Sequence, residues 1–297
     1  MPEAPWTRRP TSALRSHAPD AMAELDEEHL ERWLGYFYPE TITARRDGVL
    51  RNLAGIRDPE LARDYEYSMT ALRGMQLELG RAEIPRTFDV DHLRAIHRHL
   101  FQDVYEWAGE FRTVDLAKAG KAFARVGEPP FEQYLSDATR RIAETPWGRL
   151  DQQQFATAMA ETFAPLNQAH PFREGNGRTA KVFLAQVAEM SRFTLNYGDA
   201  TEFEWNIRSQ SSRPMDDGIV TRPEKIAPLF EQLASPRTIM RYPPRTNERP
   251  TIKSLFAVSY PKTATAATEN TPTAEAPRGR HARREHESGP RRPGAER

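Results

Sequence analysis

The chain of 297 residues contains no cysteine. Disulfides, thiolate metal centres and a cysteine nucleophile are therefore excluded. It has no apolar run of about 18 residues, so no transmembrane helix is expected. No apolar segment follows the arginines of the first ten residues, so no secretory signal is expected either. Internal repeats are absent. Net charge is also lacking, since 42 Lys/Arg balance 42 Asp/Glu.

That balance hides an asymmetry. From Ser235 onward, 13 Lys/Arg stand against 6 Asp/Glu, which leaves the preceding body acidic. The same stretch holds 9 of the 24 prolines and a low-complexity run from Lys262 to Pro277. This composition predicts a disordered basic tail over 234–297 and a flexible N-terminus over 1–20. Between them lies one domain, 21–233, long enough for a substantial core.

Within that domain the periodicity is helical. Glu24 to Tyr38 spaces Leu30, Trp33, Leu34 and Phe37 on one face. Asp58-Pro-Glu60 starts a helix to about Leu79, with Leu61, Tyr65, Met69 and Leu72 as its expected stripe and Gly80 as its stop. Asp89 caps the next, which buries Leu93, Ile96, Leu100 and Phe101. His92, His97 and His99 lie on the same helix, but their spacing does not align three metal ligands. They are read as solvent-facing or core-edge residues without a role. Thr113 to Ala124 alternates weakly, turns at Gly120-Lys121 and reads as a two-stranded hairpin, either an exposed edge awaiting a partner strand or part of a larger packed surface. Pro129 to Glu144 is a further helix. Asp151 caps another, with Phe155, Met159, Phe163 and Leu166 inside. Thr179 to Met190 is apolar on nearly every side, which marks a central buried helix. Two short helices follow, Glu202 to Ser212 and Arg222 to Leu233. Mainly α is thus the expected class.

The chemistry concentrates in His170-Pro-Phe-Arg-Glu-Gly-Asn-Gly-Arg178. Proline after His170 should push the histidine to extended backbone and end the preceding helix. Glycines on both sides of Asn176 permit unusual dihedrals and an anion nest of N–H groups. The helix behind points its positive end at that nest. Gly175 to Ala180 also fits a dinucleotide fingerprint, but that motif needs a strand before it and here a helix precedes. The residues read as a phosphoryl or nucleotidyl transfer site. His170 is the candidate general base and Glu174 a hard oxygen ligand suited to Mg²⁺. Arg178 offers a fork to phosphate oxygens. Phe172 anchors the loop in the core.

His170 to Arg178 resembles the signature of the Fic family, H-P-F-x-(D/E)-G-N-G-R, at every defined position. Trp107-Ala-Gly-Glu-Phe-Arg-Thr113 and the segment to Ala124 resemble the family's β-hairpin flap. The resemblance covers about Asp20 to Leu233. It implies a Fic-type helical domain and transfer of AMP from ATP to a Ser, Thr or Tyr hydroxyl of a target protein. His170 would deprotonate the hydroxyl, and Glu174 would hold Mg²⁺ between the phosphates. Arg173, Gly175, Asn176, Gly177, Arg178 and Lys181 form the expected nucleotide-binding set. Thr113, Val114, Asp115, Leu116, Lys121 and Phe123 form the expected target-binding flap, which would pin the target by strand addition. The family's phosphorylating branch carries a lysine variant of the glycine stretch, whereas Gly177-Arg178 groups this chain with the AMP transferases. The resemblance further implies a cytoplasmic toxin of a toxin–antitoxin pair, with a type II topoisomerase as target and a small antitoxin supplying an inhibitory helix. No membrane partner is expected. Alternatives are transfer of another phosphate-containing group, removal of AMP, or a non-catalytic nucleotide- or nucleic-acid-binding module.

One position departs from the family. Its second arginine, three residues after the first, is here Lys181, which keeps the charge but not the fork. Lys181 is expected to face the phosphate tail beside Arg178. The inhibitory pattern Ser/Thr-x-x-x-Glu-Gly/Asn occurs at Thr265 to Asn270, inside the low-complexity run, and is read as chance.

Overall fold

A computed structural model describes residues 27–118, 120–215 and 218–237, all within one compact unit. The expected N-terminal extension, most of the tail and the pattern at Thr265 lie outside these residues.

Eight helices and two small sheets make up the described fold, and the mainly helical expectation is borne out. The helices are α1 (Glu27–Gly35), α2 (Pro59–Glu78), α3 (Val90–Phe101), α4 (Pro129–Glu144), α5 (Gln152–Ala169), α6 (Asn176–Ala188), α7 (Glu202–Ser211) and α8 (Ala227–Leu233). Short β1 (Ala117–Lys118) and β2 (Lys121–Ala122) pair antiparallel in the hairpin. β3 (Phe193–Leu195) pairs antiparallel with β4 (Ala234–Pro236). This second pairing was not expected, and its second strand lies beyond Leu233.

Local chemistry explains the helix starts. Asp58 Oδ1 accepts from the N–H groups of Glu60 and Leu61, with Pro59 at the first helical position. Asp89 caps α3 through the N–H of His92. Asp151 and Gln154 form a reciprocal capping box at α5. Gly80, at φ 62, follows the end of α2.

α5 and α6 form the centre. α5 packs on α4 and α8, and α6 packs on α3 and α5. Phe155, Met159, Phe163 and Leu166 are all buried, as is nearly every side of α6. α2 departs from expectation. Leu61 and Leu72 are 62% and 45% exposed, while Thr70, Gly74 and Leu77 are buried. Tyr65 and Met69 of the expected stripe pack against the core, whereas Leu61 and Leu72 do not, and small residues let α2 approach α3. Among the described residues no helix is long and apolar enough to cross a membrane.

Candidate active site

His170 closes α5 with φ 44 and ψ 58, in the left-handed region. This corrects the extended backbone expected before proline. Pro171 disfavours right-handed helix at His170, and the chain meets that restriction by turning left-handed at the helix end. A non-glycine residue there carries strain of about 1 kcal/mol or more, so its neighbours must hold it. Its N–H donates to Leu166 O at 3.1 Å and its carbonyl accepts from Arg112 Nε at 2.9 Å. Its ring stacks on Phe123, with centroids 3.7 Å apart and planes 12° apart. Nδ1 is enclosed beside the backbone of Asn167, while the residue lines the cleft and is part-exposed. Burial lowers the imidazole pKa well below the ordinary histidine value, and the charges of Arg112, Lys118 and Arg213 lower it further. His170 is therefore neutral near pH 7.

The loop after it tightens on its own side chains. Gly175 has φ 81, and a Cβ there would overlap the ring of Phe101, so glycine is required twice over. Gly177 lies inside the first turn of α6, and φ 81 at Gly175 has no counterpart there. A Cβ on Gly177 would meet nothing within 4 Å, so its missing side chain keeps space open at the helix N-terminus. Asn176 opens α6, and its side chain joins the loop to itself. Oδ1 accepts from Phe172 N–H at 2.9 Å, and Nδ2 donates to Phe172 O at 2.7 Å. Both of its polar atoms are thus engaged within the loop, and the second hydrogen of Nδ2 is not used by these bonds.

Phe172 is buried, as expected, and stacks on His97 with centroids 3.8 Å apart. His97 is fully buried, which corrects its reading as a core-edge or solvent residue. Its Nδ1 accepts from Gly109 N–H at 2.8 Å, so Nε2 carries the proton and donates to Glu174 O at 3.0 Å. A histidine of α3 thereby holds the backbone of the motif. His92 is buried too and bonds Gln186 of α6 at 2.7 Å. The spacing carried a signal for His97. It lies four residues after Leu93 and four before Phe101, inside the buried stripe.

The three cations of the motif part company. Arg173 is buried, with its guanidinium 4.6 Å from the Trp33 ring and 5.2 Å from the Phe37 ring of the α1 segment. It clamps α1 to the loop by cation–π contact. Arg178 turns toward α2. It pairs with Glu66, donates to Thr70 Oγ1 at 3.0 Å and lies over Tyr67 and Phe101. Its fork is therefore engaged by α2, and only Nη2, 3.7 Å from Glu174 Oε1, looks to the motif. Lys181 lines the cleft with Nζ 4.6 Å from the Trp205 ring and 5.4 Å from the Tyr197 ring. It therefore leans toward α7, whereas Arg178 leans toward α2.

The hairpin is part of a larger packed surface, the second of its two readings, although Thr113, Gly120 and Ala122 are exposed. Val114, Leu116 and Phe123 are buried with Trp33 and Phe37 in one apolar cluster. Thr113 is tied through its N–H to Tyr36 Oη at 3.2 Å, and Asp115 accepts from Val126 N–H at 2.9 Å. Lys121 is half-buried. Arg112, 1% exposed, donates to the carbonyls of His170, Val114, Ala124 and Ala169. Neither Arg112 nor Arg213 was singled out in the sequence. Nothing local marks a buried arginine whose acceptors come from distant carbonyls.

One cleft of about 630 Å³ gathers His170, Glu174, Gly175 to Arg178, Lys118 and Lys181. Among the described residues no group of three or more His, Cys, Asp or Glu could hold a metal by itself. The Glu174 carboxylate is 39% exposed in the cleft, and its Oε1 accepts from Gly175 N–H at 2.9 Å. Mg²⁺ is commonly held by one carboxylate with substrate phosphates completing its shell, so this donor set fits that ion in the presence of a nucleotide.

Residues 87–188 match the Fic/DOC family. The chain is 38% identical over 163 residues to the protein adenylyltransferase VbhT of Bartonella schoenbuchensis, covering 54% of this chain and 32% of that one. It therefore spans about a third of that relative's length. It is 31% identical over 164 residues to the probable protein adenylyltransferase Fic of Escherichia coli K12, covering 55% and 79%. Among solved structures, the N-terminal Fic domain of a VirB-translocated Bep effector from Bartonella quintana, with bound ADP, superposes with a TM-score of 0.56. It is 26% identical, over 69% of this chain and 96% of that one.

Proposed function

Because this chain belongs to the Fic/DOC family and similar proteins are named protein adenylyltransferases, we propose that it moves AMP from ATP to a protein hydroxyl. The observation that carries this reading is the convergence of His170, Glu174 and the α6 N-terminus in one cleft.

Neutral His170 accepts the proton of a Ser, Thr or Tyr hydroxyl as the oxygen bonds to the α-phosphorus. The bond from that phosphorus to its bridging oxygen breaks. Pyrophosphate leaves and AMP stays on the target. The first-turn N–H groups and the dipole of α6 face the α- and β-phosphates, where negative charge develops. Open space at Gly177 lets phosphate oxygens approach that backbone. Mg²⁺ bound at Glu174 would offset the charge passing to the leaving group. Asn176 keeps the loop in shape for this, and Lys181 supplies positive charge at the far wall. The target segment adds as a strand to the outer edge of β1. The outer carbonyls of the other arm, Ala122 and Ala124, are already bonded to Arg213 and Arg112.

The proposal extends to a toxin acting in the cytoplasm on a type II topoisomerase and restrained by a small antitoxin. Its support is the family resemblance. ATP labelled at the α-phosphorus, mixed with the protein and either bacterial lysate or purified topoisomerase, should label a protein band. Label from the γ-phosphate, or equal labelling by His170→Ala, would refute the reaction. Growth arrest on expression, abolished by His170→Ala, tests the toxin role.

A further inference from the structure

Phe123 is touched on both faces. The His170 ring lies 3.7 Å from its centroid on a nearly parallel plane, and the Arg213 guanidinium carbon lies 3.9 Å from it. Two groups this close to one ring centre cannot share a face, so the three form a layered stack with Phe123 in the middle. Arg213 follows α7, outside the motif and the hairpin, and is 3% exposed. Nε donates to Gln168 Oε1 at 2.9 Å, and Nη2 donates to the carbonyls of Lys121, at 3.0 Å, and Ala122. Gln168 itself stands two residues before His170 on α5. The guanidinium thus binds the hairpin, the last turn of α5 and the ring that covers the histidine.

We propose that Arg213 is a positioning residue for His170, acting through Phe123. The proposal rests on the reading of His170 as the base. The histidine needs such support, because its backbone is left-handed and its enclosed Nδ1 meets only the backbone of Asn167, with no side chain on that nitrogen to orient the ring. Bases of this kind are commonly oriented by a third group on the far nitrogen. Here the Phe123 plane and the Arg213 cation behind it do that work. Charge matters as well. The cations facing the imidazole are Arg112 from the loop before the hairpin, Lys118 from β1 and Arg213, while Glu174 follows on the motif. Arg112 has Asp115 at 3.6 Å, whereas the acceptors of Arg213 named above are all neutral. Its positive charge is therefore turned on the Phe123 face and, beyond it, on His170. That favours the neutral imidazole a base requires.

The test uses the full chain with Arg213→Met, Arg213→Lys and Phe123→Leu. AMP transfer gives kcat, KM for ATP and the pH profile. Imidazole NMR, with His170 assigned by its loss in His170→Gln, gives a readout independent of activity. Arg213→Met should lower kcat about ten- to a hundred-fold with KM for ATP changed less than about two-fold. Its acid limb and the His170 titration should move up, while burial, the larger cause, still holds the imidazole below the ordinary histidine value. Arg213→Lys should keep the acid limb in place but not restore kcat, because an ammonium lacks the planar fork. Unchanged kcat and an unchanged His170 resonance in Arg213→Met would overturn the proposal. So would a rise in KM alone, which would make Arg213 a nucleotide contact. If Arg213→Met does not fold, Phe123→Leu carries the test. The same kcat loss and a lost ring-current shift at His170 support the stack, and neither change refutes it. A wild-type chain that transfers no AMP would sink the functional reading, while the NMR comparison would still decide the stack.

Discussion

At the scale of single residues, His170 combines a chemical demand with a backbone one. Histidine is needed as the base, yet the left-handed conformation at φ 44 favours glycine. Two substitutions separate these demands. His170→Ala and His170→Gly should both lower transfer at least about a hundred-fold while nucleotide binding persists. Denaturant melts should find the glycine variant more stable than the alanine variant by about 1 kcal/mol. Equal stability would mean that the left-handed backbone is not strained. Arg178 shows the converse. It is part of a transfer motif, yet its side chain pairs with Glu66 on α2, and both partners are 12% exposed. Removing one member of a buried pair leaves the other uncompensated. Arg178→Met should therefore cost about 3 kcal/mol of stability in addition to any loss of activity. A pure nucleotide contact would lower activity and leave the melt where it was. The motif spacing revealed which residues gather at the site. It could not reveal the partner of Arg178, because Glu66 lies 112 positions earlier in the chain.

At the scale of elements, what could be read from sequence was what is decided locally. The caps Asp58, Asp89 and Asp151 act within three residues of themselves, and the starts of α2, α3 and α5 were legible for that reason. The β3–β4 pair was not legible. Each strand has three residues, and the two are joined only after α7 and α8 intervene. The face of α2 was read only in part, because small Thr70 and Gly74 meet the core with Leu77, Tyr65 and Met69, while Leu61 and Leu72 stay exposed. The hairpin and the option that it packs into a larger surface were recognised, but its partners, Trp33 of α1 and Phe37 just after it, were not. That burial changes what a mutation there means. Leu116→Asn should cost about 2–4 kcal/mol and reduce target labelling and autolabelling together. Selective loss of target labelling would show instead that Leu116 is an exposed target contact. β4 yields a second outcome. A chain ending at Leu233 loses the pairing with β3 and should melt below a chain ending at Arg237, whose N–H still bonds Arg192 O. Identical melts would make β4 dispensable.

At the scale of the whole molecule, buried histidines make the fold sensitive to mild acid. Burial lowers the pKa of His97 to about 3, with the Arg178 charge adding to it and the Glu174 carbonyl opposing. His92 is lowered as well, chiefly by burial. The geometry fixes why. On both rings Nδ1 accepts a backbone N–H, from Gly109 for His97 and from Phe88 for His92. A proton on Nδ1 would face another donor and break that bond. In the unfolded chain both rings take up a proton near pH 6.5. The folded pKa lies below the unfolded one, so the unfolded state binds more protons below about pH 6.5. Stability is fully present above that pH and is lost as pH falls toward the folded value. His97 alone contributes a slope of about 1.4 kcal/mol per pH unit in that window, and His92 adds to it. Denaturant midpoints should therefore begin to fall between pH 6.5 and 5.5, before most carboxylates titrate. His97→Gln should be less stable at pH 7 but show a shallower decline. Because His97 holds the carbonyl of Glu174, the wild-type site should loosen over the same pH range. Parallel pH slopes for the wild type and His97→Gln would show that protonation of this histidine does not govern the acid response.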